Sequence, residues 1–281
     1  MLKTMNIGKY VQMYSEDLKL KNYAENTILN YCSQVKCFLE YFNDVATKPS
    51  EISEQKIKQW LLLANSINGR KHRISAVKLF YKFTGKQPLK FKHIEYPRSD
   101  KKLPIVLSRQ EVQKMFDVCE NKKHKVILAL LYSCGLRVSE LINLKWEHID
   151  RSRMIINIIK GKGNKDRQVM LAITLIPLLE IYAREYKTKT YILAGQTASQ
   201  YTATSVGSVI KQLGKKAGIN KRVWTHQMRH NSFTHLVESG CDINIVQKLA
   251  GHSNVKTTMC YIQISNNVIS SINSPLNSIK I

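Results

Sequence analysis

A chain of 281 residues is long enough for two modest domains or one large one, and a 43% hydrophobic share is ordinary for a water-soluble globular protein. Lys and Arg total 44 against 20 acidic residues, a net charge of +24, and no stretch approaches the roughly 20 apolar residues of a membrane-spanning helix. Self-repulsion on that scale favours a strongly negative partner. Nucleic acid comes first, with membrane surfaces and acidic proteins as alternatives.

The opening segment, Met1 to Leu20, carries Lys3, Lys9, Glu16, Asp17 and Lys19 among its apolar residues, so it lacks the uninterrupted apolar run of a targeting peptide. A soluble, cytoplasmic protein is expected. Ile7, Tyr10, Val11, Tyr14 and Leu18 recur at helical spacing, and a second helix places Ile28, Tyr31, Val35, Phe38, Leu39 and Phe42 on one face. A third starts after Ser53, a good N-cap, and buries Ile57, Trp60, Leu61 and Ala64. Asn68-Gly69 is expected to break the chain before a fourth helix, with Ile74, Val77, Phe80 and Tyr81 inward. Its first turn would carry Arg70, Lys71, His72 and Arg73. Cations are unfavourable at a helix N-terminus unless an anion meets them, so this cluster reads either as a DNA contact or as a solvated basic turn.

From Lys86 to Pro104 the periodicity fails. Pro88, Pro97 and Pro104 punctuate a basic stretch with the signature of an interdomain linker. The expected division is a helical domain over 1–95, a basic linker over 96–104 that includes Lys101 and Lys102, and a second domain over 105–281. Order resumes at Ser108-Arg109-Gln110-Glu111, which has capping-box spacing. Val126 to Tyr132 is an apolar helical run closed by Cys134-Gly135, and a short helix follows with Val138, Leu141 and Leu144 inward. Met154 to Ile159 and Gln168 to Leu171 flank Gly161-Lys162-Gly163-Asn164, a β-hairpin with a Gly-rich basic tip. The remainder reads as helices near 174–187, 202–217, 227–239, 242–250 and 255–263. None of the six cysteines falls in a C-x-x-C pair. Cys119 and Cys134 sit among apolar residues, so buried free thiols are expected and structural disulfides are not.

The chemistry-bearing residues follow a fixed order. Arg137 stands beside a helix break, Lys162 at the hairpin tip, His226 and Arg229 one helical turn apart, then His252 and Tyr261. A His-x-x-Arg pair alone is a weak signal, but the ordered set is far more specific than any member. The chain resembles the tyrosine recombinases, most closely the Xer and phage-integrase-like branch. The likeness rests on Gly135 to Leu141, Gly161 to Arg167, His226 to His230 with Thr234-His235-Leu236, and Ala250-Gly251-His252 leading to Tyr261. It covers essentially the whole chain. The fold it implies is mainly α with a small β-hairpin or sheet: a four-helix SAM-like core-binding domain, then an α+β tyrosine-recombinase catalytic domain, together clamping duplex DNA.

The resemblance also implies roles. Tyr261 would be the nucleophile that forms a 3′-phosphotyrosine, with His226 taking its proton and His252 hydrogen-bonding the phosphate. Arg137 and Arg229 suit non-bridging phosphate oxygens, because a guanidinium binds them in a planar fork and stays charged. Lys162 would protonate the 5′-oxygen leaving group, with Lys165 as its competitor, and Glu140 would orient the site. Arg70, Lys71, Arg73, Lys101, Lys102, Lys165 and Arg167 are candidate DNA contacts, while His230, His235 and Trp224 read as structural. No cofactor and no metal are expected, since neither a G-x-x-x-x-G-K-[ST] loop nor a carboxylate cluster is present in the sequence. The implied partners are double-stranded DNA and a homotetramer on two paired sites, or a pairing with a related second recombinase. In that assembly the tail after Tyr261 would dock on a neighbouring protomer through Val268, Ile269 and Ile272.

The sequence departs from the family pattern at Asn231-Ser232-Phe233, at Ala250, and after Tyr261, where Gln263 replaces a frequent His. Chromosome resolution and integration of a mobile element or phage therefore stay open. A DNA-relaxing topoisomerase and a non-catalytic DNA-binding protein are the alternative functions.

Overall fold

The computed structural model describes residues 5–98, 104–159, 166–195 and 200–264. The chain divides into two compact units, 1–101 and 102–281.

The first unit holds α1 (Ile7–Leu20), α2 (Glu25–Tyr41), α3 (Glu54–Leu62) and α4 (Ile67–Phe83). Their inward faces carry the residues that the helical spacing predicts, among them Tyr14, Leu18, Val35, Phe38, Ile57, Trp60, Val77, Phe80 and Tyr81. The aromatic rings meet edge to face: Phe38 lies 5.0 Å from Trp60, and Tyr14 5.6 Å from Phe80. The two buried phenols are satisfied, Tyr14 by the Ala76 carbonyl at 2.9 Å and Tyr81 by the Pro49 carbonyl at 2.7 Å.

The structure departs from the sequence expectation at two places. Asn68-Gly69 does not break the chain. Ser66 caps α4 by accepting from the Gly69 N–H at 3.0 Å, so the helix begins at Ile67 and Gly69 lies in its first turn. Arg70 to Arg73 therefore start one turn inside the helix, where the repulsion from its N-terminal dipole has weakened. Part of the aperiodic stretch after Lys86 is also folded. Pro88–Phe91 forms a 3-10 turn, Phe91 and Ile94 are buried, and Lys90 donates to the Ser50 carbonyl at 2.7 Å and to the Ile52 carbonyl.

In the second unit, α5 (Arg109–Asp117) opens with the expected capping box at Ser108 and Glu111. The central helix α6 (Lys122–Ser133) buries every residue from Val126 to Leu131. After the short α7 (Val138–Ile142) comes an antiparallel sheet in the order β1 (Ile149–Asp150), β2 (Ile155–Ile158), β3 (Arg167–Met170). Ile156 pairs with Val169 and Ile158 with Arg167, all four on the inward face. The helices α8 (Leu175–Tyr186), α9 (Ala203–Lys216), α10 (Thr225–Glu238), α11 (Ile243–Ala250) and α12 (Val255–Ile264) complete the unit, α6 packing between α8 and α10. Cys119 and Cys134 are buried free thiols, as expected.

Gly135 joins α6 to α7 at φ +57°, and a Cβ there would stand 2.5 Å from Cζ of Phe233. Only glycine serves both the left-handed turn and the close approach of that ring. No helix among the described residues is long and apolar enough to cross a membrane.

Candidate active site

Three segments distant in sequence converge on the C-terminal end of α11. The last carbonyls of a helix lack intrahelical partners, and the helix dipole makes that end partly negative. Guanidinium groups supply what is missing. Arg167 Nη1 donates to the Leu249 carbonyl at 2.8 Å, and Arg137 Nη2 to the Ala250 carbonyl at 3.3 Å. Arg229 Nη2 donates to the same Ala250 carbonyl, while its Nη1 donates to the Gly135 carbonyl at 2.5 Å. Gly251 ends the helix at φ +59°, its N–H on the Lys248 carbonyl at 3.0 Å, and the His252 N–H returns to the Gln247 carbonyl at 3.2 Å.

Glu140 ties two of the arginines together. It occupies the third position of α7, so its carboxylate reaches back to the N–H of the N-cap residue, Arg137, at 2.8 Å. The same carboxylate accepts from Arg137 Nη1 at 2.7 Å and from Arg167 Nη2 at 2.6 Å, with 3% of the side chain exposed. Burial pushes its pKa up, but the charge of Arg167 and the donors of Arg137 outweigh that and hold the group below its usual range.

Arg229 is more deeply set, at 1% exposure, with its guanidinium carbon 4.7 Å from the centre of the Phe233 ring. Burial, then the positive charges of Arg137 and Arg167, lower its pKa to about 9, which leaves it charged at neutral pH. His252 lies against it, Nε2 to Arg229 Nη2 at 3.4 Å and Nδ1 to the Thr258 hydroxyl at 3.1 Å. An arginine only donates, so Nε2 accepts and Nδ1 carries the proton: His252 is neutral. Burial and the nearby arginines lower its pKa to about 4, in agreement with that tautomer.

The Tyr261 ring stacks on His252 at 6.2 Å between centroids and 17° between planes, with Phe233 at 5.6 Å on another side. The residue is 1% exposed. Burial raises its phenol to about 12 despite the opposing pull of Arg229 and Arg137. His230 stands 5.8 Å from the Tyr261 ring and meets the exposed His226 edge-on at 4.6 Å. Burial, then the charges of His226 and Arg229, lower the pKa of His230 to about 4.

Arg137, Glu140, Arg229, His252 and Tyr261 thus come together, with His226 at the edge through His230. Lys162 and Lys165, as well as Lys101 and Lys102, lie outside the described residues. Arg167, expected to face DNA, is 7% exposed and belongs to the arginine cluster. Alternation along β3 puts it on the inward face with Val169, a signal the sequence carries once the strand is placed. In the first unit, Arg70 and Lys71 are half-buried, and the guanidinium of Arg73 lies 4.5 Å over the Trp60 ring and donates to the Trp60 carbonyl at 3.0 Å. His235 is structural as expected, its Nδ1 2.8 Å from the Tyr132 hydroxyl. The position of His230 beside Tyr261 has no sequence signature beyond its helical register. Among the described residues, no three His, Cys, Asp or Glu side chains are grouped to hold a metal ion.

A cage of fixed cations beside a histidine and a tyrosine suits the binding of a tetrahedral oxyanion next to a hydroxyl nucleophile. Comparison with known proteins agrees. The phage integrase family matches residues 106–267, and the phage integrase N-terminal SAM-like domain matches residues 11–90. Tyrosine recombinase XerA of Pyrococcus horikoshii is 32% identical over 259 residues, 91% of this chain and 89% of that protein. A crystal structure of XerA recombinase aligns at 29% identity over 94% of this chain and 96% of its own, with a TM-score of 0.56. XerH site-specific recombinase bound to a palindromic difH substrate in a post-cleavage complex shares the fold at a TM-score of 0.72 and 22% identity, over 93% and 83% of the two chains. The chain belongs to the phage integrase family. It is a tyrosine-type site-specific recombinase, with the fold class and family that the sequence motifs imply.

Proposed function

We propose that the second unit binds one phosphate of duplex DNA between Arg137 and Arg229, with His252 donating to it from Nε2 once its proton moves there and the Thr258 hydroxyl donates to Nδ1, and that Tyr261 cleaves the strand there. The observation that carries this reading is the convergence of Arg137 and Arg229 on one carbonyl, that of Ala250, with His252 on Arg229 and Tyr261 stacked on His252. The phenol oxygen attacks phosphorus, and its proton passes to His226. The bond from phosphorus to the 5′-oxygen breaks, and Lys162, or else Lys165, protonates the leaving oxygen. The energy of the broken ester stays in the 3′-phosphotyrosine, so the 5′-hydroxyl of a second strand can reverse the step by attack on that bond. A phenol raised to about 12 is a poor nucleophile, so activation depends on a base taking its proton and on the charges of Arg229 and Arg137, which already pull against the effect of burial.

The partner is double-stranded DNA. The first unit contributes Arg70 and Lys71, and Lys101 and Lys102 are further phosphate contacts. Domain limits of 1–95 and 105–281, a tetramer on two paired sites, exchange through a Holliday junction and association with the nucleoid complete the proposal. The experiment is covalent trapping on a randomised pool of nicked duplexes, comparing wild type with Tyr261→Phe. A denaturant-resistant adduct in the wild type alone supports the reading. An adduct of equal yield in Tyr261→Phe refutes Tyr261 as the nucleophile.

A further inference from the structure

We propose that Arg167 is a positioning residue that fixes Arg137 and the end of α11 relative to the β2–β3 hairpin, a role that rests on the strand-cleavage reading above. Both terminal nitrogens of its guanidinium are engaged within the protein. Nη2 meets Glu140, whose other oxygen holds Arg137 Nη1, and Nη1 meets the Leu249 carbonyl. The next carbonyl, that of Ala250, is the one on which Arg137 and Arg229 converge. Arg167 is therefore one link from each of the two arginines proposed to grip the phosphate, through two separate segments.

Its setting agrees with a buried strut and not with a DNA contact. The side chain is 7% exposed, it shares the inward face of β3 with Val169, and its Nε is buried without a hydrogen-bond partner. Its aliphatic stem also fills the space beside Gly251, where a Cβ would lie 2.8 Å from Arg167 Cδ. Burial lowers the Arg167 pKa and Glu140 opposes that, as for a cation kept inside by its counter-charge. β3 begins with this residue, so the same side chain joins the β2–β3 pair to the arginine cluster. A planar fork is needed to meet a carboxylate and a carbonyl on different segments at once, and a lysine ammonium does not reproduce it.

The test uses the full chain with Arg167→Met and Arg167→Lys. Single-turnover adduct formation, on duplexes that the wild type has selected, is expected to slow by about 100-fold in Arg167→Met, the scale on which small misplacements act. Arg167→Lys, which keeps the charge but not the fork, recovers part of that loss. Affinity for a generic duplex stays within about twofold and its dependence on salt is unchanged, while hydrogen exchange over residues 247–254 quickens. A salt slope lowered by about one, with cleavage following affinity, would make Arg167 a phosphate contact and overturn the proposal. So would wild-type cleavage by a folded Arg167→Met protein, which would leave Arg167 a stability residue only. If Arg167→Met does not fold, Arg167→Lys decides: wild-type cleavage and exchange there overturn the proposal. A wild-type protein that forms no adduct would defeat the strand-cleavage reading instead, and the exchange and salt measurements would still decide whether Arg167 is a strut or a contact.

Discussion

Replacing Glu140 by Gln removes one charge from the arginine cluster and almost no volume. The carboxylate is 3% exposed and accepts from Arg137 Nη1 at 2.7 Å, Arg167 Nη2 at 2.6 Å and the Arg137 N–H at 2.8 Å. An amide has one acceptor oxygen in place of two, and its NH2 group would face a guanidinium, donor against donor. Breaking a buried pair by removing one partner costs about 3–5 kcal/mol, because the remaining charge is left uncompensated. Arg167 is the charge stranded here. For a unit of this size each kcal/mol lowers the melting temperature by roughly 2–4 °C, so a drop of about 6–20 °C is expected. The assay is thermal unfolding of the full chain followed by hydrogen exchange, which reads the two units separately. The loss should fall on peptides from the second unit, with those from the first as an internal control. A shift in the second unit equivalent to less than about 1 kcal/mol would mean that Glu140 carries no buried charge pair.

Other consequences follow from the same geometry. His230 and His252 have pKa values near 4 in the folded protein against an ordinary 6.5, so the unfolded chain takes up protons first as the pH falls. Stability from the two histidines should be full above pH 6.5 and be lost between pH 6.5 and 4, by well under the ~3 kcal/mol each that the full shift would give, because both rings are only partly buried and solvent screens them. Urea midpoints across that range should fall less steeply for His252→Gln than for wild type. Gly135→Ala combines a left-handed φ with a Cβ 2.5 Å from the Phe233 ring, and should destabilise by about 2–5 kcal/mol in urea unfolding. Deleting residues 265–281 should abolish recombination in a two-site plasmid assay while leaving monomer DNA binding in a gel shift unchanged; full recombination by that truncation would remove the tail from the assembly.

Much of the fold was readable because its signals are local. Ser53 and Ser108 cap helices by hydrogen bonds within three residues, Gly135 marks a left-handed turn, and the apolar faces of α1 and α2 repeat at helical spacing. Asn68-Gly69 misled because a turn-forming dipeptide yields when a serine just upstream can cap the helix. The two-residue strand β1 is too short to show alternation. α10 has almost no polar face, since Gln227, Arg229, Asn231 and His235 are all buried, so its central place is not apparent from periodicity. The candidate site was legible as a set of side chains in order. What holds them together was not, because the carbonyls of Gly135, Leu249 and Ala250 are backbone partners and leave no mark in the sequence. Arg167 is the intermediate case, since alternation along β3 turns it inward while its charge suggests the surface.

Peptide mapping of the trapped complex identifies the nucleophile directly. Wild-type protein is trapped on nicked duplex, the DNA is digested with nuclease, and the adduct is located by mass spectrometry. A nucleotide remnant on the phenol oxygen of Tyr261 is expected. A remnant on another residue would contradict Tyr261 as the nucleophile.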